Sequence, residues 1–260
     1  MRRITGLFPM DYEERRYHEP FLGGGAVFFS IQPQVGSIND VNPRLMNFYR
    51  VVRDRPRNLI EEARRYRYDE KEYYCLRERF NSGGPDEVEG AALLLYLNKT
   101  AYNGLYRVNS KGEFNVPFGR YEDPTIVQEK RILRASRLLR KVNIRCEDFT
   151  YVSGVAEEGD LCYLDPPYNP ASDTANFTDY VEGGFDADDH NRLRDLCVEL
   201  DKRGVVFVLS NSDTGLVRRL YGKVEGFRLI PLRARRMISS KVSSRSSGND
   251  LLITNSRGSG

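Results

Sequence analysis

The turn Leu22-Gly23-Gly24-Gly25 lies between a short segment ending in Glu19-Pro20-Phe21 and an apolar helix start at Ala26-Val27-Phe28-Phe29. The chain therefore runs from strand through glycine turn to helix. A second strand is predicted over 35–39 and ends at Asp40, after which Asn42 can cap a helix with Pro43 in its first turn. Leu45, Phe48, Tyr49 and Val52 follow at i, i+3, i+4 and i+7, the stripe a helix needs to pack on a sheet. Two successive strand–helix units make an α/β fold with a parallel sheet the expectation.

From about 54 to 121 the pattern changes: arginine, glutamate and tyrosine are dense and alternating strands are absent until Tyr102. This stretch reads as an inserted helical subdomain. Asn81-Ser82-Gly83-Gly84-Pro85 marks a loop within it. Asn109-Ser110-Lys111-Gly112 marks a turn, and its flanks Leu105-Tyr106-Arg107-Val108 and Phe114-Asn115-Val116 predict a hairpin. The sheet pattern returns at Val142-Asn143-Ile144-Arg145-Cys146 and at Leu161-Cys162-Tyr163-Leu164, which ends at Asp165. A helix from about Ala187, with Leu193, Leu196, Cys197 and Leu200 on one face, stops near Gly204 and leads into a strand over 205–209. Segments 227–238 and 251–254 are expected to pair at the sheet edge, with a serine-rich stretch at 239–248 between them. The expected division is a core of 1–54 and 122–260 with an insert of 55–121, a size that 260 residues with 40% hydrophobic content can support.

Other classes are disfavoured. Forty Lys and Arg against 37 Asp and Glu leave +3, too little for nucleic-acid binding by overall charge, so any such binding is local. No apolar run approaches the ~20 residues that span a bilayer, and Asp11, Glu13 and Glu14 interrupt any secretory signal, so a cytoplasmic protein is expected. Cys75, Cys146, Cys162 and Cys197 are far apart and the histidines are His18 and His190 alone, so neither a metal site nor a disulfide framework is expected.

A glycine turn after a strand brings backbone close to a ligand at the carboxyl end of a sheet. Asp40 lies 17 residues beyond Gly23 at a strand end, where a carboxylate can accept hydrogen bonds from ribose hydroxyls, which suggests a nucleoside-containing cofactor. The alternative is that the glycines serve helix–strand packing and Asp40 caps the next helix. In Asp165-Pro166-Pro167-Tyr168 two prolines remove two amide donors and fix φ twice, giving a rigid corner. It displays a carboxylate, a carbonyl and an aromatic ring, the groups needed to hold a planar base by its amino group. Strand termination with a packing Tyr168 is the structural alternative.

Glu19-Pro20-Phe21-Leu22-Gly23-Gly24-Gly25-Ala26-Val27-Phe28-Phe29, Asn39-Asp40-Val41-Asn42, the run from Asn98 to Asn109, Cys146-Glu147-Asp148-Phe149 and Asp165-Pro166-Pro167-Tyr168 occur in the order found in the Dam family of adenine-specific DNA methyltransferases. The chain resembles that family from about Tyr17 to its last strand, including Leu209-Ser210-Asn211-Ser212-Asp213-Thr214. The resemblance implies a Rossmann-like methyltransferase sheet with an inserted helical DNA-recognition subdomain carrying a β-hairpin. It also implies methyl transfer from S-adenosylmethionine to N6 of a flipped-out adenine in double-stranded DNA. By similarity Phe21, Gly23, Gly25, Asp40, Asp148, Phe149 and Asp165 bind the cofactor, and Asp165, Pro166, Pro167 and Tyr168 form the catalytic corner. Lys99, Asn103, Arg107, Asn109 and Lys111 would contact DNA, with Arg107 the natural bidentate donor to a guanine edge. Arg120 is a further candidate for phosphate contact. So is the basic run Arg228, Arg233, Arg235, Arg236, Lys241 and Arg245, for which a solvated edge is the plain alternative. A cognate restriction endonuclease is a partner the resemblance admits, and oligomeric state is left open.

The family usually has a Lys-, Trp- and Gly-containing segment before the glycine turn. Here Met1 to Arg16 precede the first strand, Trp is absent and Thr5-Gly6 is the nearest counterpart. A second reading follows, a DNA-binding protein whose methyl transfer is impaired or lost, which predicts DNA retention without saturable cofactor binding. A third keeps the chemistry and changes the acceptor to RNA or a protein amide.

Overall fold

The computed structural model describes residues 1–83, 86–167, 185–232 and 250–256. In chain order the elements are α1 (Arg2–Thr5), β1 (Tyr17–Glu19), α2 (Ala26–Ile31), β2 (Gly36–Asn39), α3 (Pro43–Asp54), α4 (Pro56–Ala63), α5 (Glu70–Asn81) and α6 (Glu87–Thr100). A 3-10 turn (Tyr102–Gly104), α7 (Glu129–Leu139), β3 (Asn143–Arg145) and a second 3-10 segment (Phe149–Gly154) come next. The order ends with β4 (Leu161–Leu164), α8 (Ala187–Lys202), β5 (Val206–Ser212), α9 (Gly215–Tyr221), β6 (Arg228–Leu232) and β7 (Asp250–Thr254). The seven strands form a mixed, largely parallel sheet in the order β3-β2-β1-β4-β5-β7-β6, the Rossmann-like α/β architecture expected. Pairs β1–β2, β1–β4 and β4–β5 are parallel, whereas β7 runs antiparallel to both β5 and β6.

Two compact units divide the chain: Met1–Ile38 with Asp148–Gly260, and Asn39–Glu147. The expected insert of 55–121 lies inside the second unit, which also takes in α3, α7 and β3.

In the first unit, β4 is buried on both faces, as its unbroken Leu-Cys-Tyr-Leu run requires of a central parallel strand. Cys162, Leu164, Phe207, Leu209, Leu251 and Ile253 pack against Leu193, Leu196, Cys197 and Leu200 of α8 and Val217 and Tyr221 of α9. α8 opens with a reciprocal cap: Asp189 N–H donates to the Asp186 side chain at 2.9 Å, and the Asp189 carboxylate accepts from Asp186 N–H at 3.3 Å. The closing strands pair at the sheet edge as expected, with β6 outermost and β7 between it and β5. Burial accords with the order: Leu251 through Thr254 are all buried, while no residue of β6 is fully buried and its Pro231 has no N–H to donate to a ladder. Of the basic run, Arg228 begins β6; Arg233, Arg235, Arg236, Lys241, Arg245 and the serine-rich stretch lie outside the described residues.

In the second unit the Asn42 side chain caps α3, accepting from Arg44 N–H at 3.0 Å and Leu45 N–H at 3.2 Å. The face α3 presents is broader than the stripe read from the sequence. Met46, Tyr49, Val51 and Val52 are buried, and Leu45 and Phe48 pack against a second apolar cluster. The principal neighbours of α3 are α6 and α7, helices rather than a sheet face, which is why burial spreads around it. α6 is buried nearly all round through Ala91, Ala92, Leu93, Leu94, Tyr96 and Leu97, as befits the central helix of this unit. Truncating Phe207, fully buried in β5, to Ala should cost about 3–5 kcal/mol, read as a lower urea midpoint. A loss below about 1 kcal/mol would contradict this packing.

Candidate active site

Parallel pairing decides which loops meet. Tyr17 of β1 faces Gly36 of β2 on one side and Leu161 of β4 on the other, and His18 likewise faces Ser37 and Cys162. The chain leaves β1 toward β2 and comes back on the opposite side in β4. The boundary between β1 and β4 is thus the point where strand order reverses, the place where open α/β sheets form a ligand crevice. From β1 the chain enters Pro20-Phe21 and the glycine turn, and from β4 it enters Asp165-Pro166-Pro167. Both exits are at the same end of the sheet because the strands are parallel.

The turn is closed by Gly25 N–H donating to Leu22 O at 2.8 Å. Gly23 and Gly25 have φ of +48° and +66°, values that carry little cost only for glycine. A Cβ placed on Gly23 or Gly24 would meet nothing within 4 Å, so this backbone borders open space that a ligand can enter.

At the start of the turn, Glu19 is buried and accepts the Tyr17 hydroxyl at 2.7 Å. Burial raises its pKa to about 8; the hydrogen bond from Tyr17 and one from the Phe28 backbone oppose the rise, and the nearby Asp165 carboxylate adds to it. Glu19 therefore holds a proton across most of the neutral range. Asp165 is half-buried, Pro166 buried and Pro167 exposed; Tyr168 lies outside the described residues.

Phe21, Asp148 and Phe149 also come together. The Phe21 and Phe149 rings stack with centroids 5.1 Å apart, Phe185 lies 5.8 Å from both, and the Arg192 guanidinium covers the Phe149 ring at 4.9 Å. Asp148 caps the 3-10 segment that follows it: its Oδ1 accepts from Thr150 N–H at 3.0 Å, from the Thr150 hydroxyl at 2.6 Å and from Arg192 at 2.7 Å. Burial works to raise its pKa, and the bonds from Arg192 and Thr150 outweigh that and lower it.

Asp40, in the second unit, directly follows β2 and is half-buried. Its Oδ1 accepts from Asn42 N–H at 2.9 Å, so Asp40 braces the loop while Asn42 does the capping. In the same unit the predicted hairpin is present in a narrow form. Val108 bridges Phe114, Asn109 N–H donates to Glu113 O at 2.9 Å, and Asn115 N–H donates to Arg107 O at 3.1 Å. Residues 102–108 are all exposed, including Asn103 and Arg107, and they display the apolar side chains of Tyr102, Leu105, Tyr106 and Val108. Lys111 is exposed at the turn and Asn109 and Lys99 are half-buried. Arg120 is exposed, 3.9 Å from Glu70.

Sequence reasoning passed over Glu19, Arg192 and this apolar exposure. A strand-end carboxyl acquires its properties only once the fold buries it and brings Asp165 near. Likewise, Arg192 sits 44 residues from Asp148 and is one of many arginines on helices.

A Rossmann-like sheet whose switch point brings a glycine turn beside an Asp-Pro-Pro corner defines a group-transfer enzyme of the methyltransferase class. Over residues 1–238 the chain matches the model of the D12 class N6 adenine-specific DNA methyltransferases, and it belongs to that family: it methylates adenine in DNA at N6. It is 42% identical to the Type II methyltransferase M1.LlaDCHI of Lactococcus lactis subsp. cremoris, covering 97% of this chain and 89% of the relative. It is equally 42% identical to the Type II methyltransferase M.MjaIII of Methanocaldococcus jannaschii, over 98% and 94% of the two chains. With the DNA adenine methylase of Vibrio cholerae the identity is 37%, over 92% and 87%. The family match takes in residues 1–16, and none of these comparisons supports a protein that has lost methyl transfer or one acting on RNA or protein. Among the described residues no helix is long and apolar enough to cross a membrane.

Because the folded chain keeps the Glu19 proton that the unfolded chain has lost, stability from this group is full below about pH 4.5 and declines as pH rises toward about 8. The slope approaches about 1.4 kcal/mol per pH unit within that window. Urea titrations from pH 5 to 8 should show this decline, and Glu19→Gln should flatten it. An unchanged slope in the variant would assign the effect to other groups.

Proposed function

We propose that the methyl donor is S-adenosylmethionine, that Phe21, Gly23, Gly25, Asp40, Asp148, Phe149 and Asp165 hold it, and that Asp165, Pro166, Pro167 and Tyr168 hold the target adenine. The observation that carries this reading is the adjacency of β1 and β4, from whose neighbouring ends the glycine turn and the Asp-Pro-Pro corner depart. The donor set suits the cofactor: open glycine backbone for close approach, carboxylates for hydroxyl and amino groups, and aromatic rings for a purine. When bound, S-adenosylmethionine supplies a methyl group on a sulfonium, an electrophile that needs no activation by the protein.

The work left to the chain is to make N6 a nucleophile. Its lone pair is delocalised into the adenine ring. Asp165 accepts one N6–H and the Pro166 carbonyl accepts the other, which favours a pyramidal nitrogen and frees the pair. With reacting atoms held in line about 3–3.5 Å apart, N6 would bond the methyl carbon as the carbon–sulfur bond breaks to leave a neutral thioether, and the proton N6 gives up would pass through Asp165 to solvent. Since N6 lies inside the duplex, the adenine is extruded at a cost of a few kcal/mol, which stacking on Tyr168, worth roughly 1–3 kcal/mol, offsets in part.

The exposed hairpin takes the DNA. Arg107 donates to a guanine edge, Asn103 and Asn109 lie beside it, and Lys99 and Lys111 contact phosphates. The exposed run 102–108 supports this assignment. The names of two relatives as Type II methyltransferases support a cognate restriction endonuclease as partner, and a DNA substrate is met in the cytoplasm.

Labelled S-adenosylmethionine and duplex DNA of varied sequence test the reading. Asp165→Ala should lower transfer by roughly a hundredfold or more, in the range seen on removing a group that stabilises a transition state. Undiminished labelling would remove Asp165 from the mechanism. Asp40→Ala should weaken cofactor binding in calorimetry while DNA retention is unchanged, and intact cofactor affinity would exclude it from the pocket.

A further inference from the structure

Arg107 is not a loose side chain on its hairpin. Its Nε–H donates to Asn115 Oδ1 at 2.7 Å, and its Nη2 donates to the Asn115 backbone carbonyl at 3.3 Å. The same residue returns a backbone bond, Asn115 N–H to Arg107 O at 3.1 Å. A guanidinium offers two edges with parallel N–H pairs, one formed by Nε and Nη2 and one at its tip by Nη1 and Nη2. Asn115 occupies the first, so the tip is the edge presented outward. Two parallel donors are what O6 and N7 of guanine require in the major groove.

Asn115 is itself fixed from both sides. Phe114 before it is buried, and its backbone is clamped by the Asn81 amide, which accepts from Phe114 N–H at 2.8 Å and donates to Phe114 O at 3.0 Å. Val116 after it is buried, and its carbonyl accepts the Tyr73 hydroxyl at 2.8 Å. At the tip the Asn109 side-chain Oδ1 accepts from Lys111 N–H and Glu113 N–H at 3.0 and 2.9 Å, which sets the turn and hence the register that puts 107 opposite 115. A long arginine held in one orientation before contact loses less freedom on binding than one that samples many.

The geometry points to Asn115 as a specificity-positioning residue: anchored to the core of its unit, it aims the outer edge of Arg107 at one guanine of the recognised site. This deepens the function proposed above and rests on Arg107 reading a guanine. It differs from phosphate contact, which weakens binding to all sequences alike.

The test is a methylation profile of the full chain with S-adenosylmethionine on a duplex pool randomised around the target adenine, alongside thermal unfolding. Arg107→Ala should relax one guanine position by roughly tenfold or more. Asn115→Ala should relax that same position by a smaller factor, about five- to tenfold, with an unfolding midpoint close to that of the parent. The double variant should be no more relaxed there than Arg107→Ala alone. Asn115→Asp keeps the acceptor for Nε and should restore discrimination at that base. If Asn115→Ala lowers rates on all sequences equally, or relaxes a different base, the positioning role is overturned while Arg107 stands. If Arg107→Ala relaxes no position, the reading of Arg107 falls and the positioning role with it.

Discussion

The parallel pairing of β1 with β4 is the constraint on which the catalytic unit depends. Neither the glycine turn nor the Asp-Pro-Pro corner has a function alone: one is a stretch of backbone without side chains, the other a strand terminus. Pairing of Tyr17 with Leu161 and His18 with Cys162, 144 residues apart in sequence, sets them side by side at one end of the sheet. Parallel strands require a crossover between them, and in this chain the whole second unit lies within the connection from β2 to β4. The fold thus gives the glycine turn and the Asp-Pro-Pro corner a short, stiff foundation.

The two units carry different kinds of rigidity. Around β1 and β4 it comes from burial: Tyr17, His18, Glu19, Leu161, Cys162 and Tyr163 are all buried, and even polar members find partners, as His18 does with Ser37 at 2.7 Å. On the hairpin few apolar side chains are buried, and asparagine amides take over, with Asn81, Asn109 and Asn115 each satisfying backbone or guanidinium groups that water would otherwise solvate. An amide suits this task because it donates and accepts at once without introducing charge.

Much of this was legible in the sequence where the physics is local. Strand–turn–helix periodicity located β1, α2, β2 and α3, Asn42 was readable as a cap, and the Asn109–Gly112 turn announced the hairpin. What escaped depends on neighbours distant in sequence. That β7 would lie between β5 and β6 follows from which strand buries both faces, and in the sequence only Pro231 within Arg228–Leu232 hints at it. The proton on Glu19 depends first on burial and then on Asp165, 146 positions away, and the apolar exposure of 102–108 can be recognised only when the core that fails to cover it is known.

The place of β7 has a consequence for synthesis. A ribosome delivers β5, α9 and β6 before the strand that separates β5 from β6 exists, so a nascent chain halted short of Asp250 presents the open flank of β5 with its row of unmet amides and carbonyls. Such a fragment contains the glycine turn, the Asp-Pro-Pro sequence and the hairpin, yet its sheet is unfinished. The expected fate of prematurely terminated chains is aggregation or degradation, which keeps half-made enzyme from marking the genome.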